Sequence, residues 1–272
     1  MTVLITGGTG LVGTRLLPRL IAAGVDCRVL VRGADAKVSA GATLVQGDIL
    51  DPDSLKAAVE GVDAVVHLAA VLRTPDPALI TRVNVEGTRN LIAAARAHAP
   101  GARVVMASTG LVYGNDLTWP AREDDPTTAT RPYPASKIEA EAALRASGLN
   151  WSVLRFAFVY GDGDGHLQSA PGLLANWKTH PAQGLSLVHQ RDIATAVQLA
   201  LSGAFDGHTV NVADEAPTTI QEIAALVGAD YIPSNEPLAN PWAGRMDATL
   251  ARGLGFHVSV PTVYQAARDG IL

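Results

Sequence analysis

The sequence predicts an α/β protein built on a doubly wound parallel sheet, with a small C-terminal lobe beside the sheet. Short runs of β-branched residues alternate with longer Ala- and Leu-rich segments of helical period, and this alternation is typical of βαβ units. The predicted strands are nearly continuous apolar runs, which indicates that helices cover both faces of the sheet. Hydrophobic residues make up 48% of the 272 residues and charged residues only 17%, so we expect a large buried core.

The first 160 residues supply six strands with helices between them. Apolar, β-branched runs predict strands over residues 3–6, 28–31, 43–46, 64–68, 103–108 and 152–156. Apolar residues at helical spacing predict helices over residues 11–23, 53–59, 78–98 and 133–146. A strand over 187–189, a helix over 193–201, a strand over 209–212 and a helix over 219–227 follow.

Two long connections interrupt this pattern. Residues 115–132 and 161–185 are rich in Pro, Gly and polar residues, and we interpret both as loops that border a binding site. The predicted division is a sheet domain over residues 1–160, to which residues 186–212 return, and a small lobe over residues 161–185 and 213–272.

Charge and composition exclude several classes of protein. The 21 Lys and Arg residues against 26 Asp and Glu give a net charge of -5 without any basic run, which argues against nucleic-acid binding. No stretch of about 18 apolar residues could span a membrane. The single cysteine, Cys27, lies in an apolar run and is expected to be buried, which fits a cytoplasmic protein. His67, His98 and His189 have no metal-ligand spacing, so no metal site is predicted.

A glycine motif follows the first strand and opens the first helix. Gly7, Gly10 and Gly13 have the spacing GxxGxxG, which suits a tight turn, close approach of backbone amides to a pyrophosphate, and close packing of helix on strand. The motif stands at the start of a chain in which strands and helices alternate, and this is the context in which it indicates dinucleotide binding. The sequence therefore predicts a Rossmann-type domain that binds a dinucleotide, and the small lobe would bind the substrate.

The end of the second strand indicates which dinucleotide is bound. An acid there holds the ribose 2'-hydroxyl of NAD, whereas an Arg can neutralise the 2'-phosphate of NADP. Arg32 stands at this position, and no carboxylate occurs between Asp26 and Asp35. We therefore expect NADP(H), with NAD(H) as the alternative cofactor.

Tyr133 and Lys137 lie four residues apart in a predicted helix and so share one face of it. A nearby cation favours the phenolate form of a tyrosine, and Lys137 would supply that cation. Ser108 and Thr109 place hydroxyl groups at the end of the fifth strand, at the sheet edge where such folds bind ligands.

With these residues the chain resembles the extended branch of the short-chain dehydrogenase/reductase superfamily, the nucleotide-sugar epimerase/dehydratase-like group. The resemblance covers nearly the whole chain. Besides the glycine motif and the Tyr/Lys pair, the shared motifs are residues 84–88, 108–114, 154–155, 159–161, 188–189 with Asp192, and 211–212.

The resemblance implies roles for these residues. Tyr133 would be the general acid/base, Lys137 would bind the nicotinamide ribose and lower the pKa of the tyrosine, and Thr109 would hydrogen-bond the reacting oxygen, with Ser108 as the alternative. Asn84 would hold the site in a hydrogen-bond network. The expected cofactor contacts are Gly7, Thr9, Gly10, Leu11, Val12, Gly13, Arg32, Asp48, Ile49, Leu68, Ala69, Ala70, Ser108, Tyr133 and Lys137. The expected substrate contacts are Thr109, Tyr113 and Phe158.

The predicted activity is hydride transfer between the nicotinamide and a carbonyl or secondary alcohol of a small or medium-sized substrate. Family members that act on nucleotide sugars are usually longer, and an Asn often stands where this chain has Phe158. Trp119, Trp177 and Trp242 could complete an apolar pocket. The alternatives are a sugar or nucleotide-sugar epimerase, dehydratase or dehydrogenase that uses NAD, and a non-catalytic NADP-binding sensor. The helices over 78–98 and 133–146 match the pair that often forms a dimer interface in the family. Contacts within one chain could also bury the apolar faces of these helices.

Overall fold

The computed structural model describes residues 1–272 and is organised around a seven-stranded parallel sheet. The chain forms eleven strands, of which seven belong to this sheet and four to two smaller ones. They are β1 (Thr2–Thr6), β2 (Asp26–Val31), β3 (Thr43–Gln46), β4 (Ala64–His67), β5 (Arg103–Thr109), β6 (Asn150–Phe156), β7 (Phe158–Tyr160), β8 (Gly184–Leu185), β9 (Leu187–His189), β10 (Thr209–Val212) and β11 (Thr218–Thr219). The order in the large sheet is β10-β6-β5-β4-β1-β2-β3. The predicted doubly wound parallel sheet is therefore confirmed.

Helices cover both faces of this sheet. They are α1 (Gly13–Ala22), α2 (Pro52–Val59), α3 (Pro77–Thr81), α4 (Gly87–His98), α5 (Pro132–Arg145), α6 (His166–Asn176), α7 (Gln190–Ser202), α8 (Ile220–Val227), α9 (Thr249–Gly253) and α10 (Val263–Arg268). Apolar side chains of α1 and α7 bury one face, and those of α2, α4 and α5 bury the other. Cys27 lies in the first of these cores, as its apolar surroundings predict. No helix is both long and apolar enough to cross a lipid bilayer.

The strand order reverses beside β1. The chain runs outward from β1 through β2 to β3, then returns to place β4 on the other side of β1. Connections at the carboxyl ends of β1 and β4 therefore leave in opposite directions, and the crevice between them is where doubly wound folds bind ligands. The glycine motif follows β1 at this crevice.

A third, smaller core lies beyond the carboxyl edge of the sheet. β7 pairs with β9 and β8 pairs with β11 in two short sheets, so the predicted strand over 187–189 exists but lies outside the large sheet. Their buried partners come from α6, α8 and α10 and include Leu167, Ile220 and Val263.

The prediction of a loop over residues 161–185 is wrong, because α6 spans eleven of its residues. Pro171 and the adjacent Gly172 are unfavourable inside a helix and suggested a loop. Burial of Leu167, Ala170 and Leu174 in the small core outweighs this local preference.

The helix predicted over residues 78–98 is interrupted by a π-helical turn. This turn, Arg82–Glu86, joins α3 to α4 and carries Asn84. A π-helical turn widens the helix locally and is frequent at functional sites.

Candidate active site

The glycine motif forms a backbone cradle at the carboxyl end of β1. Gly7 has φ 73°, and a Cβ on it would stand 2.6 Å from the backbone nitrogen of Ala69. A Cβ on Gly13 would overlap the carbonyl oxygen of Gly7. The amides of Leu11, Val12 and Gly13 donate to no acceptor within the protein, and Val12 caps α1 without a side-chain hydrogen bond. Free amides at a helix N-terminus beside glycine backbone fit the pyrophosphate of a dinucleotide.

A cavity of about 690 Å³ runs from this cradle along the carboxyl edge of the sheet toward the small core. It brings together most of the predicted site residues. The predicted contacts that line it are Gly7, Gly10, Leu11, Val12, Gly13, Leu68, Ala70, Ser108, Thr109, Tyr113, Tyr133, Lys137 and Phe158, and the three predicted tryptophans line it as well. The cradle and the Tyr/Lys pair therefore open into the same space.

Five predicted cofactor contacts do not line this cavity: Thr9, Arg32, Asp48, Ile49 and Ala69. Arg32 is exposed just after β2. The Asp48 carboxylate accepts a hydrogen bond from the amide of Leu50 at 2.9 Å, while Ile49 packs on Gly87. Arg32, Asp48 and Ile49 lie at the ends of β2 and β3, farther along the open edge, so their contact with a cofactor stays a prediction.

Tyr133 and Lys137 occupy the first turns of α5, and Lys137 is 2% exposed. Burial raises the pKa of Tyr133 to about 12. Burial lowers the pKa of Lys137 to about 8, although the nearby Glu141 carboxylate opposes this shift. The phenolate expected from the sequence is therefore not favoured here, because loss of water around the tyrosine dominates. The phenol keeps its proton at neutral pH.

The side chain of Thr109 is prepared to donate a hydrogen bond. Its Oγ1 accepts the amide hydrogen of Leu111 at 3.2 Å, and its own hydroxyl hydrogen has no acceptor in the protein. By contrast, the hydroxyl of Ser108 donates to the Glu141 carboxylate at 2.5 Å. Of the two hydroxyls predicted as candidates, Thr109 is the one free to contact a substrate.

Asn84 connects three parts of the site by hydrogen bonds. Its Oδ1 accepts from the amide of Val71 at 2.7 Å, and its Nδ2 donates to the carbonyl of Val71 and to Ser136 Oγ, both at 2.9 Å. Ser136 Oγ in turn donates to the carbonyl oxygen of Tyr133 at 2.6 Å. The expected network is present, and through it Asn84 fixes the start of α5 against the loop after β4.

A buried ion pair behind the site was missed by the sequence analysis. Arg155 on β6 donates from Nε and Nη2 to the two carboxylate oxygens of Glu141, at 3.1 and 2.7 Å, and both side chains are nearly inaccessible. Arg155 also donates to the hydroxyl of Tyr113, which itself donates to Asn211 Oδ1. The hydroxyl of Tyr113 is therefore held by Arg155 and Asn211, and its ring is the part that lines the cavity. Glu141 lies one helical turn beyond Lys137, a spacing that could have drawn attention to it.

His67 is a second buried group with a defined state. Its Nδ1 lies 2.7 Å from Thr6 Oγ1 and its Nε2 lies 2.9 Å from Thr88 Oγ1. Because the Thr88 hydroxyl already donates to the carbonyl of Asn84, it must accept from Nε2, which assigns the proton to Nε2. Burial, with the Lys137 charge, lowers the pKa of His67 to about 3, so the ring is neutral. No cluster of three or more His, Cys, Asp or Glu side chains could hold a metal ion.

Comparison with known proteins agrees with this geometry. The sequence model of the NAD dependent epimerase/dehydratase family matches residues 3–213. The chain is 31% identical over 245 residues to the 4-hydroxy-2-methyl-3-oxo-4-farnesyl-3,4-dihydroquinoline-1-oxide ketoreductase of Stigmatella aurantiaca, covering 84% of this chain and 72% of that protein. It is 36% identical over 172 residues to the UDP-glucose 4-epimerase of Azospirillum brasilense, but this match spans only 58% of the chain and 49% of the epimerase.

A solved structure extends the likeness to the whole chain. The UDP-glucose 4-epimerase of Thermus thermophilus, in complex with NAD, has a TM-score of 0.79 at 26% identity, covering 98% of this chain and 97% of that one. The relatives are named as reductases, epimerases and dehydratases, which confirms the predicted class of NAD(P)-dependent enzyme at the level of the family. The glycine cradle, the Tyr/Lys pair on α5 and these matches together establish that the chain belongs to the NAD-dependent epimerase/dehydratase family, within the extended short-chain dehydrogenases/reductases.

Proposed function

We propose that the chain is an NADP(H)-dependent oxidoreductase that interconverts a carbonyl compound and a secondary alcohol and exchanges its cofactor at every turnover. The observation that carries this proposal is the chemistry of the cavity beside Tyr133 and Thr109. More than half of its lining residues are hydrophobic, and none is Asp or Glu. A sugar that left water for such a cavity would find few partners for its hydroxyl groups, whereas a mostly apolar carbonyl compound loses little.

The residues of the chain can handle the reacting oxygen. Tyr133, protonated at neutral pH, donates its proton to the carbonyl oxygen during reduction, and Thr109 donates a hydrogen bond to the same oxygen. When bound, the nicotinamide cofactor supplies the hydride at C4 for reduction and takes it up for oxidation. Lys137 would bind the ribose hydroxyls of the cofactor, and Asn84, through Ser136, keeps the helix that carries Tyr133 and Lys137 in place.

The cofactor preference rests on Arg32. Its guanidinium is exposed after β2 and makes no ion pair or hydrogen bond within the protein, so it is free to bind a 2'-phosphate. The nearest acid along the sequence is Asp35, whose carboxylate lies beside Gly33. An enzyme that uses NADPH as a reductant must release the oxidised cofactor, which fits the open edge on which Arg32 lies.

The second candidate function is that of a UDP-glucose 4-epimerase or related nucleotide-sugar enzyme. It is favoured by the matches to the Azospirillum and Thermus epimerases, the latter solved with NAD. Such an enzyme returns the hydride to the same sugar and so keeps its NAD. The third class, a non-catalytic NADP-binding sensor, would have no need of Tyr133 as an acid.

Mass spectrometry of the nucleotide released on denaturation of freshly purified protein tests the proposal, together with titration of the emptied protein by NADPH and NADH. We expect little retained cofactor and a clear preference for NADPH. Replacing Arg32 with Ala should weaken NADPH binding much more than NADH binding, whereas Asp35→Ala serves as the matched control. Stoichiometric bound NAD would overturn the proposal in favour of the epimerase.

The cytoplasmic location and the homodimer remain predictions of the sequence analysis. Light scattering at micromolar concentration tests the dimer, and a monomer would contradict it.

A further inference from the structure

The cavity carries positive charge that no acid in its walls balances. Arg73, Arg131 and Arg245 line it together with Lys137, and no Asp or Glu does. None of the three arginines forms an ion pair with any acid of the chain. In the proposed function the glycine cradle is the site for the cofactor's pyrophosphate, and Lys137 for its ribose. Three further unpaired cations around a largely apolar space favour a second anionic ligand.

Arg245 is the best placed of these cations. Its carbonyl oxygen accepts from the amide of Ala121 at 2.9 Å, and the next amide, that of Met246, donates to Ser186 Oγ at 2.9 Å. The backbone of Arg245 is thus fixed to two separate loops. The Arg245 side chain lines the cavity, and its guanidinium forms neither a hydrogen bond nor an ion pair within the protein. An anion bound in the cavity would give this cation a partner.

The position of Arg245 links it to the reacting end of the cavity. A Cβ on Gly110 would overlap Met246 Sδ, so the segment that carries Arg245 packs directly on the turn after Thr109. Thr109 and Arg245 line the same cavity, so a single ligand that fills it can contact both.

The walls near the arginines are flat and aromatic. The guanidinium carbon of Arg245 lies 5.7 Å from the ring centre of Trp242, and that of Arg131 lies 4.6 Å from the ring centre of Trp177. The two tryptophans are 37% and 46% exposed, which is high for so large an apolar side chain. A planar, apolar ligand in the cavity would bury part of this surface.

Polar recognition of a sugar is poorly provided for. Among the lining residues the only carboxamide is that of Asn115, and there is no carboxylate to accept hydroxyl hydrogens. The charged groups available are cations only. This combination suits a ligand whose polar atoms are the reacting oxygen and an anionic group, on an otherwise apolar frame.

We propose that the substrate is a flat, largely apolar carbonyl compound that carries an acidic group, and that Arg245 binds this group while Trp242 and Trp177 hold the ring. The carbonyl group of the substrate rests on the proposed function, whereas the anion site is tested by binding measurements alone. Arg245 is a specificity-determining residue in this assignment.

Binding of matched acid and ester probes tests the assignment. Isothermal titration calorimetry of the NADP⁺-saturated protein compares 2-naphthoate with methyl 2-naphthoate, which share a ring and differ in charge. A charge-assisted hydrogen bond to Arg245 should make naphthoate bind roughly 10- to 100-fold more tightly than the ester. Arg245→Met should remove this preference, Arg245→Lys should keep part of it, and Arg268→Met, an exposed arginine on α10, should leave it unchanged.

Several outcomes would overturn the assignment. They are equal binding of acid and ester by the unmodified protein, no binding of either, or a preference that survives in Arg245→Met. Tight binding of UDP in place of naphthoate would assign the cations to a nucleotide diphosphate instead. The comparison of acid with ester in the unmodified protein needs no variant. It therefore tests the assignment even if Arg245→Met fails to fold.

A reduction assay separates this inference from the proposed function. NADPH-dependent reduction is measured for 6-acetyl-2-naphthoate and for its methyl ester. Acid-selective binding without reduction of either ketone would support the anion site and contradict the proposal that the chain is an oxidoreductase. Equal reduction of both ketones would support the oxidoreductase and contradict the anion site.

Discussion

The hydroxyl of Tyr133 is the atom on which the proposed reduction depends. Burial keeps the phenol protonated at neutral pH, as a proton donor must be. Replacing Tyr133 with Phe removes that proton but keeps the ring, so ketone reduction should fall roughly 10²- to 10⁴-fold while the Kd for NADPH changes little. Steady-state kinetics and a cofactor titration measure the two effects. Tyr264→Phe, a change to an exposed phenol on α10, is the control, and reduction at full rate by Tyr133→Phe would remove the mechanism.

Lys137 gives the activity a pH dependence with a defined sign. Because burial lowers its pKa to about 8, the ammonium is charged below that pH and is lost above it. We therefore expect kcat/KM for reduction to be level from about pH 6 to about pH 7, to fall to about half near pH 8, and to decline further at higher pH. The variant Lys137→Met should be slower throughout and lack the decline. A decline that persisted in this variant would belong to another group.

At the scale of elements, α5 is held to β6 by the buried pair of Glu141 and Arg155. Removal of Arg155 leaves the buried Glu141 carboxylate with only Ser108 and the partly exposed Arg145 as partners, so Arg155→Met should lower the free energy of unfolding by roughly 3 kcal/mol, the lower end of the range for a broken buried pair. The double change Glu141→Leu with Arg155→Met should cost less, since no charge is then stranded. Urea unfolding measures both.

The same helix provides a control for that prediction. Glu139 pairs with Arg89 at 3.8 Å, and both side chains are more than half exposed. Arg89→Met should therefore change the unfolding free energy by less than about 1 kcal/mol. Equal losses in Arg89→Met and Arg155→Met would show that burial of the pair is not what matters.

Local patterns were sufficient for the parts of the fold and the site that depend on local chemistry. The glycine motif and the Tyr/Lys pair are short spacings within one turn or one helix, and the structure brings them to one cavity. The α6 helix was missed because its stability comes from burial in the small core rather than from its own composition. Arg245 was missed for a similar reason, since only the folded chain places residues 244–246 against residues 121 and 186.

At the scale of the whole molecule, the C-terminal segment completes the cavity wall. Asn240 Nδ2 donates to the carbonyls of Asn115 and Leu117, and an isolated bridge pairs Ala121 with Met246. The connection over residues 115–132 and the tail therefore form one surface that faces the carboxyl edge of the sheet. Substrate selectivity can change in these segments without disturbing the strands that position Thr109.

Asp214 makes the stability of the whole fold depend on pH. It is 5% exposed, and no donor reaches either carboxylate oxygen with good hydrogen-bond geometry. Burial, with a smaller contribution from the charge of Asp192, raises its pKa to about 8, although the nearby backbone amides of Leu187 and Ala216 and the charge of Arg252 oppose the shift. The folded state therefore keeps this proton to a higher pH than the unfolded state. The contribution of the protonated carboxyl group to the free energy of unfolding is fully present below about pH 4 and is lost as the pH rises to about 8.

Replacing Asp214 with Asn removes this titration. The variant should melt close to the unmodified protein near pH 4 and more than about 2 °C above it near pH 8, as measured by thermal unfolding across that range. Asp206→Asn should behave in the opposite way. The ion pair of Asp206 with Arg103, at 2.6 Å, lowers its pKa, so loss of this carboxylate destabilises the fold at neutral pH and matters less as the pH falls. A melting difference for Asp214→Asn that did not grow with pH would show that the carboxyl group ionises in the folded protein as readily as in water.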